Sequence, residues 1–210
     1  MRTLAILPVK SFSQAKQRLS HELAPAVREA LAEAMLEDVL ESLARCAGLD
    51  GLLVVSPGYR ARELAEQAGA STISDEEHGH NDAAGLGISA ALEHGAERVL
   101  LVPGDCPALD PSELDELLSR PAASPGVVIV PDRHGTGTNA LLLTPPRVMR
   151  PSFGPGSCER HRQLAAEAGA EVEIVHLRSL ALDVDTPEDL ETLAELAGRA
   201  PRTLALLSRC

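Results

Sequence analysis

Short apolar runs alternate along this chain with longer stretches whose apolar residues recur at helical spacing, and that alternation constrains the fold more than any other feature. The strand candidates are Leu4–Val9, Leu52–Val55, Ser71–Ser74, Val99–Val102, Val127–Val130, Ala140–Leu143 and Val172–Val175. Between them lie helical patterns. One runs from Val27 through Leu31, Leu36, Val39, Leu40 and Leu43, with Pro25 near its start. The others are Arg60–Ala68, ended by Gly69, then Gly85–His94, Leu114–Leu118, Cys158–Ala168 and, as the last helix, Leu190–Leu196. Strands that alternate with helices in this way predict a three-layer, Rossmann-like α/β domain with a mostly parallel sheet covered on both faces.

The length of 210 residues suits one such domain, and no linker or composition break divides it. We therefore expect a single domain over residues 1–197, followed by a poorly periodic tail over 198–210 that begins at Gly198. The Leu4–Val9 run is too short for a signal-peptide core or a membrane span. Cys46, Cys106, Cys158 and Cys210 show no metal-type spacing and read as free thiols, so the expected location is the cytoplasm, without a membrane partner.

The net charge is −12, which repels polyanions. With no Trp, one Tyr and two Phe, the chain also lacks platforms for stacking bases, so a nucleic-acid partner is not expected. A small anionic substrate would need cations concentrated at one place. In open α/β sheets ligands bind beyond the C-terminal ends of the strands, and four polar clusters follow apolar runs.

After the first strand come Lys10, Lys16 and Arg18, within nine positions of a chain holding only 19 basic residues. This segment can hold a triphosphate, or it is a solvated basic face; it lacks the P-loop and dinucleotide-binding glycine patterns. After Val99–Val102 comes Pro103-Gly104-Asp105-Cys106-Pro107, a tight turn that presents Asp105. The next helix has its own start in Asp110, Pro111 and Glu113, which leaves Asp105 spare and suited to Mg2+. Asp183 and Asp185 stand two apart on an extended segment and point to one side, an arrangement that a cation would stabilise; an Asx-type turn before the helix is the alternative for one of them. Thr186 and Pro187 open that helix, and the helix dipole explains Glu188 and Asp189. Last come Gly135-Thr136-Gly137-Thr138-Asn139 and Phe153-Gly154-Pro155-Gly156-Ser157, the second opening a helix as an anion cradle or as a flexible loop with Ser157 as N-cap. Arg160 and His161 either add charge there or face solvent. Asn81 can read a base or ribose, whereas His78 and His80 carry no compelling metal reading.

Taken in order, Pro8-Val9-Lys10, Ala15-Lys16-Gln17-Arg18-Leu19, Gly104-Asp105-Cys106-Pro107, Gly135–Asn139, Phe153–Ser157 and Asp183-Val184-Asp185-Thr186 resemble the phosphoenolpyruvate / 2-phospho-L-lactate guanylyltransferase family of coenzyme F-420 biosynthesis. The resemblance spans residues 3–196. It implies a nucleotide-diphospho-sugar transferase (GT-A type) fold with a mixed, mostly parallel sheet, and transfer of GMP from GTP with release of pyrophosphate. It implies that Pro8, Val9, Lys10, Lys16 and Arg18 cradle GTP, that Thr138, Gly154 and Ser157 hold the phospho-acid, and that Asp105, Asp183 and Asp185 hold Mg2+, with Asp105 and Lys16 the catalytic pair. Cys158-Glu159 departs from the pattern and bears on acceptor preference. The acceptor's phosphate oxygen is already anionic, so the reaction needs charge neutralisation and positioning more than a general base. The competing readings are a molybdopterin or sugar-phosphate nucleotidyltransferase of the same fold and a non-catalytic nucleotide-binding module.

Overall fold

In the computed structural model, which describes residues 1–76, 79–196 and 199–209, the first apolar run becomes strand β1 (Thr3–Pro8), buried at every position. Glu77, His78, Ala197, Gly198 and Cys210 lie outside the described residues. Burial without alternation is what a strand covered on both faces requires. Ala5 and Leu7 face one hydrophobic cluster, while Leu4 and Ile6 face another.

Six more strands complete one sheet: β2 (Gly51–Val55), β3 (Ser71–Ile73), β4 (Arg98–Leu101), β5 (Gly126–Pro131), β6 (Thr138–Thr144) and β7 (Glu171–Ile174). Their order is β3-β2-β1-β4-β6-β5-β7. β6 alone runs antiparallel, pairing with β4 on one side and β5 on the other. The remaining pairs are parallel.

Helices α1 (Pro25–Ala44), α2 (Tyr59–Gln67) and α4 (Pro111–Ser119) cover one face through residues such as Leu36, Leu64 and Leu114. Helices α3 (His80–Glu93) and α5 (Ser157–Glu167) cover the other through Ala84, Ile88 and Ala165. The predicted three layers are present. α3 starts earlier than the periodicity suggests, because Gly85 and Gly87 do not stop it. Gly87 lets the helix lie close on the sheet, since a Cβ there would stand 2.4 Å from Ile6 Cγ2.

Two local expectations change. Asp110 caps α4 as predicted, accepting from Ser112 N at 2.9 Å. Glu113 does not close a capping box; its Oε2 accepts from Ser179 N at 3.0 Å and ties α4 to the loop before Asp183. The residues expected as a tail include helix α7 (Pro201–Leu207), which follows α6 (Pro187–Glu195) and packs on α1. The buried carboxylate of Asp38 accepts from Thr203 N at 2.9 Å and Thr203 Oγ1 at 2.8 Å. That anchor joins residues 165 apart, so local periodicity carries no trace of it. Among the described residues no helix is long and apolar enough to cross a membrane.

Candidate functional site

The C-terminal ends of β1 and β4 and the N-terminal end of β6 share one edge of the sheet. β6 is antiparallel, so its first residues, Thr138 and Asn139, lie beyond the Leu101–Leu141 pair on the side where β4 leads into Asp105. Four segments far apart in sequence meet at this edge.

The loop after β1 forms one wall of a cleft of about 390 Å3, within the usual range for ligand sites. Pro8, Val9, Lys10, Lys16 and Arg18 line it, joined by His80, Gly104, Asp105 and Asp185. Two short 3-10 turns, Phe12–Gln14 and Gln17–Leu19, shape the loop. Between them Lys16 adopts a left-handed conformation, φ 53° and ψ 40°, which costs a side-chain-bearing residue on the order of 1 kcal/mol. That geometry turns the Lys16 side chain inward. Its Nζ is 2.7 Å from Asp105 Oδ2 and 3.0 Å from Asp185 Oδ1, with only 5 % of the side chain exposed. Burial opposes the Lys16 charge, but Asp105 and Asp185 outweigh it and hold the amine protonated. Burial likewise opposes the Asp105 charge, and Lys16 holds that carboxyl below its ordinary value.

Arg18 Nη1 lies 3.7 Å from Asp185 Oδ2, and Lys10 stands exposed at the mouth. Beneath the loop, Arg28 of α1 is buried; its Nη1 donates to Ala15 O at 3.5 Å and its Nε has no partner among the described residues. The sequence gives no signal for this second buried cation.

The acidic segment is bound to the turn after β4: Val184 N donates to Asp105 O at 3.1 Å. Asp183 Oδ1 accepts from Asn139 Nδ2 at 3.2 Å, and the same amide donates to Leu180 O at 2.8 Å. Burial raises the Asp183 pKa and the nearby Asp105 adds to the rise, while the Asn139 bond opposes it. Asp189 does more than face a helix dipole. With Thr186 it forms a capping box, its Oδ2 also accepts from Asp185 N at 2.9 Å, and its Oδ1 meets Arg133 Nη2 at 2.6 Å. The sequence signal for this role is the Thr186-x-x-Asp189 spacing.

As the side chains stand, no trio of His, Cys, Asp or Glu among the described residues is gathered as a metal site. The predicted Asp105–Asp183–Asp185 set is divided: the Lys16 ammonium bridges Asp105 and Asp185, and Asp183 is turned to Asn139. His78 lies outside the described residues; His80 lines the cleft, with burial lowering its pKa.

Thr138, Gly154 and Ser157 gather beside this cleft. Gly154 and Gly156 have φ of +119° and +70°, a region that glycine enters at little cost, and Gly156 rather than Ser157 is the N-cap of α5. Ser157 is the first helical residue, and its Oγ donates to Thr138 Oγ1 at 3.2 Å. Arg160 and His161, which the sequence leaves between adding charge and facing solvent, are both tied to neighbouring protein groups. Arg160 braces the loop through Ser152 O at 2.8 Å and Pro155 O at 2.8 Å. His161 is fully buried, with Nδ1 3.0 Å from Thr138 Oγ1. Asn81 does not line this cleft: its Oδ1 accepts from Phe153 N at 2.7 Å and its Nδ2 donates to Phe153 O at 3.3 Å. The Phe153 ring lies edge-on between His80 and His161, each centroid 5.0 Å away, and joins the two parts of the site.

Known proteins share the fold and much of the sequence. The fold matches that of a Desulfovibrio desulfuricans G20 protein assigned as a nucleotide-diphospho-sugar transferase, with a TM-score of 0.75 at 19 % identity over 100 % of this chain and 95 % of that one. The phosphoenolpyruvate guanylyltransferase of Conexibacter woesei is 52 % identical over 100 % of this chain and 96 % of its own length. The 2-phospho-L-lactate guanylyltransferase of Methanothermobacter thermautotrophicus is 38 % identical over 90 % of this chain and 83 % of its own length. The profile of the family described as "Guanylyl transferase CofC like" matches residues 3–205, and the chain belongs to that family of nucleotidyltransferases.

Proposed function

We propose that this chain transfers GMP from GTP to phosphoenolpyruvate with release of pyrophosphate, the phospho-acid activation of coenzyme F-420 assembly that the sequence resemblance implies. The observation that carries this reading is the Lys16 ammonium held between Asp105 and Asp185 on the cleft wall, at the sheet edge that also carries the Thr138–Ser157 hydroxyl pair. A guanylyl transferase must bring two polyanions together, and this edge offers cations from one loop and, from another, the Thr138 hydroxyl, which Ser157 supports by donating to it.

Lys10, Lys16 and Arg18 hold the triphosphate and offset charge on the departing pyrophosphate. Thr138, Ser157 and the Gly154–Gly156 turn hold the phospho-acid so that its phosphate oxygen lies in line with the α-phosphorus. That oxygen is anionic at neutral pH, so no side chain has to remove a proton. Asp105, Asp183 and Asp185 suit Mg2+: the donors are all carboxylate oxygens, and a cation there would offset the burial and the Asp105 charge that together raise the Asp183 pKa. They are a partial set, consistent with an ion that takes one or two carboxylates and completes its shell with phosphate and water. When bound there, Mg2+ would neutralise phosphate charge.

Phosphoenolpyruvate is favoured over 2-phospho-L-lactate by the 52 % identical relative, since the relatives differ in their named acceptor. The test is pyrophosphate release from GTP and Mg2+ with phosphoenolpyruvate, 2-phospho-L-lactate and 3-phosphoglycerate in parallel, using Asp105→Ala as the control. Release with phosphoenolpyruvate, lost in the folded Asp105→Ala protein, is expected. Release with 2-phospho-L-lactate or 3-phosphoglycerate but not phosphoenolpyruvate, or no release with any of the three, would reject it.

A further inference from the structure

His161 is among the few polar side chains with no solvent exposure, and the chemistry above gives it no part. Both ring nitrogens are engaged. Nε2 lies 2.9 Å from Ser152 N, and Nδ1 lies 3.0 Å from Thr138 Oγ1. A backbone N–H can only donate, so Nε2 must accept and carries no hydrogen. A neutral ring then has its one hydrogen on Nδ1, directed at Thr138 Oγ1. Ser157 Oγ donates to the same oxygen at 3.2 Å. Thr138 Oγ1 thus accepts twice, and its own hydrogen is the one left over in the network. Thr138 is only partly buried, so that hydrogen can meet an incoming group.

We infer that His161 is a positioning residue for the acceptor: by donating from Nδ1 to Thr138, it reserves the Thr138 hydroxyl hydrogen for the anionic group of the phospho-acid. The inference rests on the reading of Thr138 and Ser157 as acceptor ligands. The opposite tautomer would set Nε2–H against Ser152 N–H, donor to donor. It would also draw the Thr138 hydrogen inward, leaving oxygen lone pairs to face an anion. The surroundings agree with a neutral ring. Burial, reinforced by the Arg160 guanidinium, pushes the His161 pKa down to about 4, and Phe153 packs edge-on against it at 5.0 Å.

Three substitutions separate this role from packing. An Asn amide can stand where Nδ1 stands and donate to Thr138. A Gln amide reaches instead toward the Nε2 position, and Phe keeps the bulk but no nitrogen. Steady-state kinetics with GTP and phosphoenolpyruvate should show the acceptor KM raised roughly tenfold or more in His161→Phe and His161→Gln, the loss of one bond to a charged group. The GTP KM and the kcat at saturating acceptor should change little, and His161→Asn should recover most of the acceptor KM. Equal acceptor KM values in the Asn and Phe variants, or a joint collapse of both KM values and kcat, would overturn the inference.

The ring itself gives a second readout that needs no acceptor. Nitrogen-15 shifts of the wild-type histidines, with His161 assigned by its absence from His161→Asn, should show Nδ1 protonated and Nε2 bare at pH 7. A wild type that released pyrophosphate with none of the three acids would defeat the acceptor reading, yet an Nε2-protonated or charged His161 ring would separately defeat the tautomer on which this inference depends.

Discussion

Lys16→Met removes the ammonium and keeps the length and the left-handed backbone demand of the native residue, so it isolates the charge. In the absence of divalent metal, Asp105 and Asp185 would lose the cation that stands 2.7 and 3.0 Å from them. Breaking a fully buried pair costs about 3–5 kcal/mol because a charge is left in a poor solvent. Here the Asp105 and Asp185 side chains are 33 % and 37 % exposed, so water replaces part of the lost partner. The expected loss is about 1–3 kcal/mol, which for a chain of this size lowers Tm by roughly 3–10 °C. The same substitution removes the competitor for those carboxylates. Mg2+ should therefore stabilise the variant more than the wild type, and the gap in urea midpoint should narrow as the ion is added. Pyrophosphate release should still fall by about 100-fold or more, since the leaving group loses a donor in place. The assay is urea unfolding in EDTA and across a Mg2+ series, beside turnover. A variant as stable as wild type in EDTA, or a gap that Mg2+ leaves unchanged, would refute the view that Lys16 neutralises the carboxylates a metal would share.

Asp189→Ala should cost about 2–4 kcal/mol in urea unfolding, because it removes the α6 capping box and leaves Arg133 without its carboxylate, and it should lower turnover by freeing the Asp185 backbone; a loss of stability with unchanged turnover would break the link to the site. Gly154→Ala places a side chain at φ +119°, so the acceptor KM should rise while the GTP KM holds, and equal changes in both would argue that the loop serves the whole site. His161 is held neutral, with its pKa lowered from 6.5 to about 4 by burial and by Arg160. The unfolded chain therefore takes up this proton first as pH falls, so the stability contributed by the neutral ring is intact above about pH 6.5 and drains away toward pH 4. Urea midpoints of wild type should fall more steeply over that window than those of His161→Asn, and parallel curves would count against the assignment.

Much of the architecture was legible in the sequence. β1 and β4 read as unbroken apolar runs because both faces of each are covered, and Asp110-Pro111 announced α4 through local capping chemistry. The polar clusters after β1 and β4 were visible because a parallel strand delivers the residues beyond its C-terminal end to one edge of the sheet. Other features had no local signal. The helical pattern weakens around Gly85 and Gly87, and at Gly87 the reason is the close approach of α3 to Ile6. The role of α7 depends on Asp38, a charged residue on α1 that by its type alone belongs at the surface.

Sequence alone determined that this chain is an α/β domain with cations after its first strand, carboxylates after its fourth and before α6, and a glycine-rich turn opening α5. Those properties come from periodicity, turn chemistry and residue type, which act over a few neighbours. Tertiary structure decided that β6 runs antiparallel, which brings Thr138 and Asn139 to the same edge as Asp105. It decided that Lys16 lies between carboxylates 89 and 169 residues away, and that His161 turns inward to Thr138 rather than outward to water. Strand direction and long-range pairing are settled by how the whole sheet buries its two faces, and the free energy of that burial is shared among residues that no short stretch of sequence contains.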